Sequence, residues 1–164
     1  MFQELFYPRQ AVLVTASSSE KSNLAAVEWI TPVADKPPTL ALSLANTSLT
    51  LDLICSSMEF VVAFPGEKMR DAVALCGSTS GKYIDKFDEA HLTQVRAKRV
   101  SAPLVLQAEA NIECKVLSYT NAGDHTVVIG EIVEVHLPSD GKVIDPLLFS
   151  YGGKRLFGFK KDNI

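Results

Sequence analysis

Apolar side chains follow two rhythms along this chain, and each rhythm predicts a different element. Alternation dominates. The run AVLVTA (11–16) reads as a buried strand, followed by a polar loop over 17–22 and a second strand over 24–30. Pro37-Pro38 forbids a helix and launches a strand over 39–45, with Leu40, Leu42 and Leu44 on one face. Ala41, Ser43 and Ala45 form the other face, small enough for another body to approach closely. MEFVVAF (58–64) is a further strand, stopped by Pro65-Gly66. Two long strand patterns follow Pro103, at 109–119 and 125–137, joined by the hairpin signal Asn121-Ala122-Gly123-Asp124. A last strand, PLLFSYGG, leads to Phe157 and Phe159, and 160–164 are expected to fray.

The helical rhythm is rarer. Residues 49–57 place Leu49, Leu53 and Ile54 on one side, with Ser48 positioned to cap the start. EKMRDAVALCG (67–77) lines up Met69, Val73 and Cys76 and ends on a Gly stop. The stretch 78–102 is polar and reads mostly as loop, and 31–34 (Thr31-Pro32-Val33-Ala34) as a constrained loop. Gly130, inside a strand pattern, marks a bend or a close backbone approach. No repeat, low-complexity tract or linker divides the chain. The sum is a mostly β fold, a small barrel with a few short helices, in one domain over 1–164.

Composition narrows the function classes. At 164 residues, 47% hydrophobic and 21% charged, the chain has enough apolar material for a real core. Its 16 basic and 19 acidic residues leave a net charge of −3, so no overall basic field recruits nucleic acid. The runs Arg96-Ala97-Lys98-Arg99 and Lys160-Lys161 read as solvated surface. No window approaches the roughly 20 apolar residues of a membrane span, and the beginning, MFQELFYPRQ, does not read as a signal peptide. Three widely spaced cysteines, never as CxxC, predict reduced thiols in the cytoplasm and no structural metal. In that compartment the sequon at Asn46 stays unglycosylated.

Candidate chemistry gathers at one helix start. Free N–H groups and the macrodipole favour an anion ahead of residue 49, and Ser43, Thr47, Ser48 and Thr50 offer hydroxyls, Asn46 an amide. That is a phosphate cradle or a plain N-cap, and the segment alone favours the cap. A flat heterocycle suits the stiff loop after Trp29, although core is the ordinary role for a lone Trp. GSTSGKYIDKF (77–87) matches neither a P-loop nor GxGxxG; it reads as a flexible loop offering Lys82 and Lys86 to anions. His125 is placed to exchange protons at a barrel rim, while His91 and His136 have no partner nearby in sequence. No Ser-His-Asp order, HExxH or acid pair is present. Tyr151 to Arg155 offers a ring and two cations to a ligand, or an ordinary turn.

Several segments carry a resemblance in their order and spacing. They are Thr15-Ala16, Asn23-Leu24-Ala25, Trp29-Ile30-Thr31-Pro32-Val33, Pro37-Pro38-Thr39-Leu40-Ala41-Leu42-Ser43, the run from Cys76 to Phe87, Ile112-Glu113-Cys114 and the run from Gly123 to Ile132. Together they resemble the flavin reductase-like family, FMN-binding split β-barrels that include the flavoredoxins. The resemblance implies FMN as cofactor, with Trp29, Thr31, Pro32, Val33 and Ala34 against the isoalloxazine. It implies Ser43, Leu44, Asn46, Ser48 and Thr50 along the ribityl chain and phosphate. Ser80, Gly81, Lys82, Asp85, Lys86 and Phe87 become a second wall, and His125 sits where nicotinamide or product flavin docks. It further implies a homodimer. Many relatives carry Ser where this chain has Ala34, and Glu28 places a carboxylate by the ring that disfavours anionic reduced flavin. The activity implied is NAD(P)H-dependent reduction of FMN, with electrons passed to free flavin or another acceptor. The rivals are a flavoredoxin-like carrier serving a redox protein partner without its own nicotinamide site, and a relative that has lost flavin.

Overall fold

The computed structural model describes residues 2–139, 141, 147–152 and 155–159. Gly153, Lys154 and Lys160-Lys161 therefore lie outside the described residues. After a 3₁₀ turn (Phe2–Phe6) come strands β1 (Arg9–Gln10), β2 (Val12–Ser17), β3 (Ser22–Val27), β4 (Ile30–Asp35) and β5 (Pro38–Ala45). Helix α1 (Leu49–Ser57) leads to β6 (Glu59–Phe64), then α2 (Arg70–Ser78) and α3 (Lys86–Glu89). The strands β7 (Gln94–Val95), β8 (Leu104–Val105), β9 (Ala110–Ala122), β10 (His125–His136), β11 (Leu147–Ser150) and β12 (Leu156–Phe159) complete the order. The fold is mostly β, as the sequence predicts.

The main sheet is antiparallel at every pairing and runs β3-β2-β6-β9-β10-β5-β4. Strand β2 is buried along its whole length because it feeds two cores. Val12, Val14 and Ala16 join Leu40, Leu42, Leu44, Ile54 and Phe60 on one side. Leu13 joins Leu24, Val73, Cys76, Phe87 and Leu148 on the other. Burying each such Leu, Val or Phe is worth roughly 1.5–3 kcal/mol, so the two cores pin α1 and α2 to opposite sides of one strand. The alternation in β5 is realised: Leu40, Leu42 and Leu44 are buried, and Ala41, Ser43 and Ala45 stay partly open.

Four readings change. The pattern 24–30 breaks at Glu28-Trp29 into β3 and β4. Residues 31–34 are strand rather than loop: β4 is a sheet edge, where Pro32 leaves no ladder bond missing, and the register shifts between Pro32 and Ala34. The stretch 78–102 holds α3 and β7. Gly77 sits in the last turn of α2, not beyond it.

Two features lock the barrel side. Gly130 lies at a register shift in β10, and a Cβ there would strike the Phe60 ring, so the close approach requires glycine. Glu113 of β9 is fully buried. Its Oε1 accepts from the Lys98 N–H at 2.8 Å and the His136 Nε2 at 2.6 Å. Its Oε2 accepts from the N–H groups of Arg99 at 2.6 Å and Val100 at 3.0 Å. His136 thus has a partner, 23 residues away in sequence. Among the described residues no helix is long and apolar enough to cross a membrane.

Candidate functional site

A cleft of about 400 Å³ opens where the end of β3, the β3–β4 corner, the small face of β5 and the first turn of α1 converge. The end of α2, the loop at 79–81 and His125 close its far side. Trp29 is not core. It is half-buried, and its ring lies against His125 with centroids 4.7 Å apart and planes 30° apart. The Ser43 N–H donates to the Trp29 carbonyl at 2.9 Å, which holds the corner against β5. Nδ1 of His125 lies 2.8 Å from Asp124 Oδ1. The hydrogen bond and charge of His125 hold the Asp124 carboxyl below its usual range. With that carboxylate accepting, Nδ1 is the donor of this pair.

At the opposite end, Ser48 occupies the N-cap of α1, but its hydroxyl makes no capping bond. The first-turn N–H groups of a helix have no intrahelical acceptor, so this end presents donors and positive potential to the cleft. Thr47, Thr79 and Ser80 add hydroxyls along the wall. Gly81 lies flush on Asn23, where a Cβ would collide with the amide. That contact keeps the 79–81 loop close to β3.

The expected site residues divide. Trp29, Ser43, Leu44, Ser48, Ser80, Gly81, Lys86 and His125 come together around the cleft. Thr31 instead lines a neighbouring cavity, and Pro32, Val33 and Ala34 are exposed and line neither. Ala34 therefore removes no contact from the cleft, while Glu28 does border it. Asn46 ties β5 to the β9–β10 hairpin, donating to the Gly123 carbonyl at 3.0 Å and accepting from Thr126 Oγ1 at 2.9 Å. Thr50 is fully buried and accepts from Asn23 Nδ2 at 3.0 Å. Asp85 caps α3 through the N–H groups of Phe87 and Asp88, and Phe87 is core. Lys82 lies on the surface, 4.0 Å from Asp52.

Lys86 is not a loose loop cation. It is buried, and its Nζ donates to the Cys76 carbonyl at 2.7 Å. Burial lowers its pKa, partly opposed by Cys76, and pushes the Cys76 thiol up to about 11. Of the described residues in the Tyr151–Arg155 stretch, Arg155 donates to the carbonyls of Tyr151 and Gly152. Sequence reading missed Asn23, Cys76 and Thr79 as cleft residues. Asn23 carried a usable signal, a polar amide opening an otherwise apolar strand.

A flat aromatic wall, a hydroxyl-rich middle and a helix start suit a ligand that is planar at one end and anionic at the other. The model of the flavin reductase like domain matches residues 4–157. The chain belongs to the flavin reductase-like family. An uncharacterized protein of Archaeoglobus fulgidus is 34% identical over 132 residues, 80% of this chain and 74% of that protein. An NADH-dependent FAD reductase of Streptomyces globisporus is 24% identical, over 92% of this chain and 80% of its own. The solved flavoredoxin of Desulfovibrio vulgaris superposes with a TM-score of 0.85 at 25% identity, covering 94% of this chain and 88% of that one. A flavin fits the donor set of this family member. The uncapped Ser48 hydroxyl and α1 N–H groups suit a phosphate, and the Trp29–His125 pair suits the ring.

Proposed function

We propose that this chain is an FMN-binding oxidoreductase that uses NAD(P)H to reduce free flavin or another acceptor, working as a cytoplasmic homodimer of one flavin-binding domain. The observation that carries the reading is the cleft itself: a tilted Trp29–His125 ring pair at one end and a helix start with no side-chain cap at the other. The redox chemistry, hydride uptake and electron release, is supplied by FMN when bound. Ser48 Oγ and the first N–H groups of α1 hold the phosphate. Ser43 and Thr47 accept and donate along the ribityl chain. Trp29 would shield the ring from water, and Gly81 lets the 79–81 loop close on the cleft against Asn23. His125, oriented by Asp124, exchanges a proton at Nε2 beside the second substrate. Glu28, at the same end of the cleft, would add negative charge beside a bound flavin.

A second reading, an electron carrier, is favoured by the likeness to a solved flavoredoxin. One cuvette separates the two. The purified protein is saturated with FMN, or FAD in a parallel sample, and NADH and then NADPH are added anaerobically. Bleaching within seconds identifies a reductase and its nucleotide. A spectrum that bleaches only with dithionite identifies a carrier, and a protein that refuses both flavins overturns the reading.

A further inference from the structure

A second cavity, about 650 Å³, opens on the other side of Trp29 and shares Glu28, Trp29 and Ser43 with the cleft. Its walls are mainly apolar, with Phe6, Pro8, Ile30, Ala41 and Val127 beside the polar Gln10 and Thr31. Ala41 leaves the β5 wall without a projecting side chain, so a flat body can lie on it. At the mouth, Phe2 and Phe6 are 65% and 64% exposed and meet edge to face at 6.5 Å. Arg9 is the cation inside this apolar frame. Its guanidinium stands 4.5 Å from the Tyr7 ring centroid, 5.5 Å from Trp29 and 5.6 Å from Phe6. One hydrogen bond, from Nη2 to the Gln3 carbonyl at 3.0 Å, anchors it. Among the described residues no carboxylate lies within ion-pair distance of it. A guanidinium has five N–H donors in a rigid fork, so most of its capacity is unfilled.

We propose that this cavity binds a planar aromatic carboxylate, with Arg9 as its anion receptor. The rings around Arg9 hold the guanidinium in place, so little order is lost when a carboxylate takes two parallel N–H bonds. One cation in a cavity that Glu28 also lines matches a monoanion and disfavours a phosphate dianion. The apolar walls take the ring. The proposal goes beyond the flavin reading and stands on the second cavity alone.

The test titrates the full chain with naphthoate and with its neutral isostere naphthamide, by calorimetry and by fluorescence of the single tryptophan, Trp29. Naphthoate is expected to bind about ten-fold tighter than naphthamide, the worth of one charge-assisted fork. Arg9→Met erases that difference, Arg9→Lys keeps part of it, and Glu28→Gln tightens naphthoate by a few-fold. FMN binding, followed separately by absorbance, changes less than about three-fold in Arg9→Lys. Equal affinity for acid and amide overturns the proposal. So does the absence of saturable binding by either, the result expected if a second copy of the chain fills the cavity. Naphthoate binding by a protein that refuses flavin would sink the flavin reading and leave this one standing.

Discussion

Replacing Glu113 by Gln removes one charge and one acceptor from a fully buried carboxylate that four donors address. Burial by itself pushes the Glu113 carboxyl up. The N–H groups of Lys98 and Arg99, with His136, outweigh that and hold it below the usual range. An amide keeps one oxygen, and its NH₂ then faces backbone N–H groups that it cannot accept from. With two donors stranded and the charge gone, Glu113→Gln should cost about 2–4 kcal/mol. In a domain of this size that is roughly a 5–12 °C fall in melting temperature. Urea unfolding at neutral pH measures it. The pH dependence has a definite sign. A carboxyl lowered in the folded state contributes stability above its unfolded pKa and loses it as pH falls through the folded value. The gap between wild type and variant should therefore be widest near neutrality and shrink in acid. A variant within about 0.5 kcal/mol of wild type at neutral pH would refute the view that this carboxylate holds the 98–100 loop.

Other sites give independent expectations. Ser48→Ala should weaken FMN roughly five- to ten-fold, one hydrogen bond to a phosphate, and barely move the urea midpoint, because the hydroxyl makes no cap bond. Lost stability with unchanged FMN affinity would instead make Ser48 a plain cap. Gly130→Ala should destabilise by about 1–3 kcal/mol in denaturant melts through the clash with Phe60, and Gly130→Ala combined with Phe60→Leu should recover part of it.

What the sequence revealed was whatever depends on near neighbours along the chain. The two-residue period in β5 and the apolar stripe of α1 are local, and both formed as read. Pro32 misled because proline marks a loop and an edge strand equally well, and only the sheet order decides between them. Thr50 and Asn46 carry a related ambiguity. Polar groups beside a helix start serve a ligand, a distant part of the chain or both, and the internal bonds to Asn23, Gly123 and Thr126 are invisible in the local sequence. Glu113 left no trace in its own segment, because its donors come from residues 98–100 and from His136. Lys86 looked like a surface cation until α3 folded it under α2 onto Cys76.

The central claim is that flavin lies in the cleft between Trp29 and the start of α1. A crystal structure of the FMN complex tests it most directly. The account predicts the isoalloxazine beside Trp29 and His125, with the phosphate within hydrogen-bond distance of Ser48 and the first N–H groups of α1. A phosphate bound away from α1, or a ring lying outside the cleft, would contradict it.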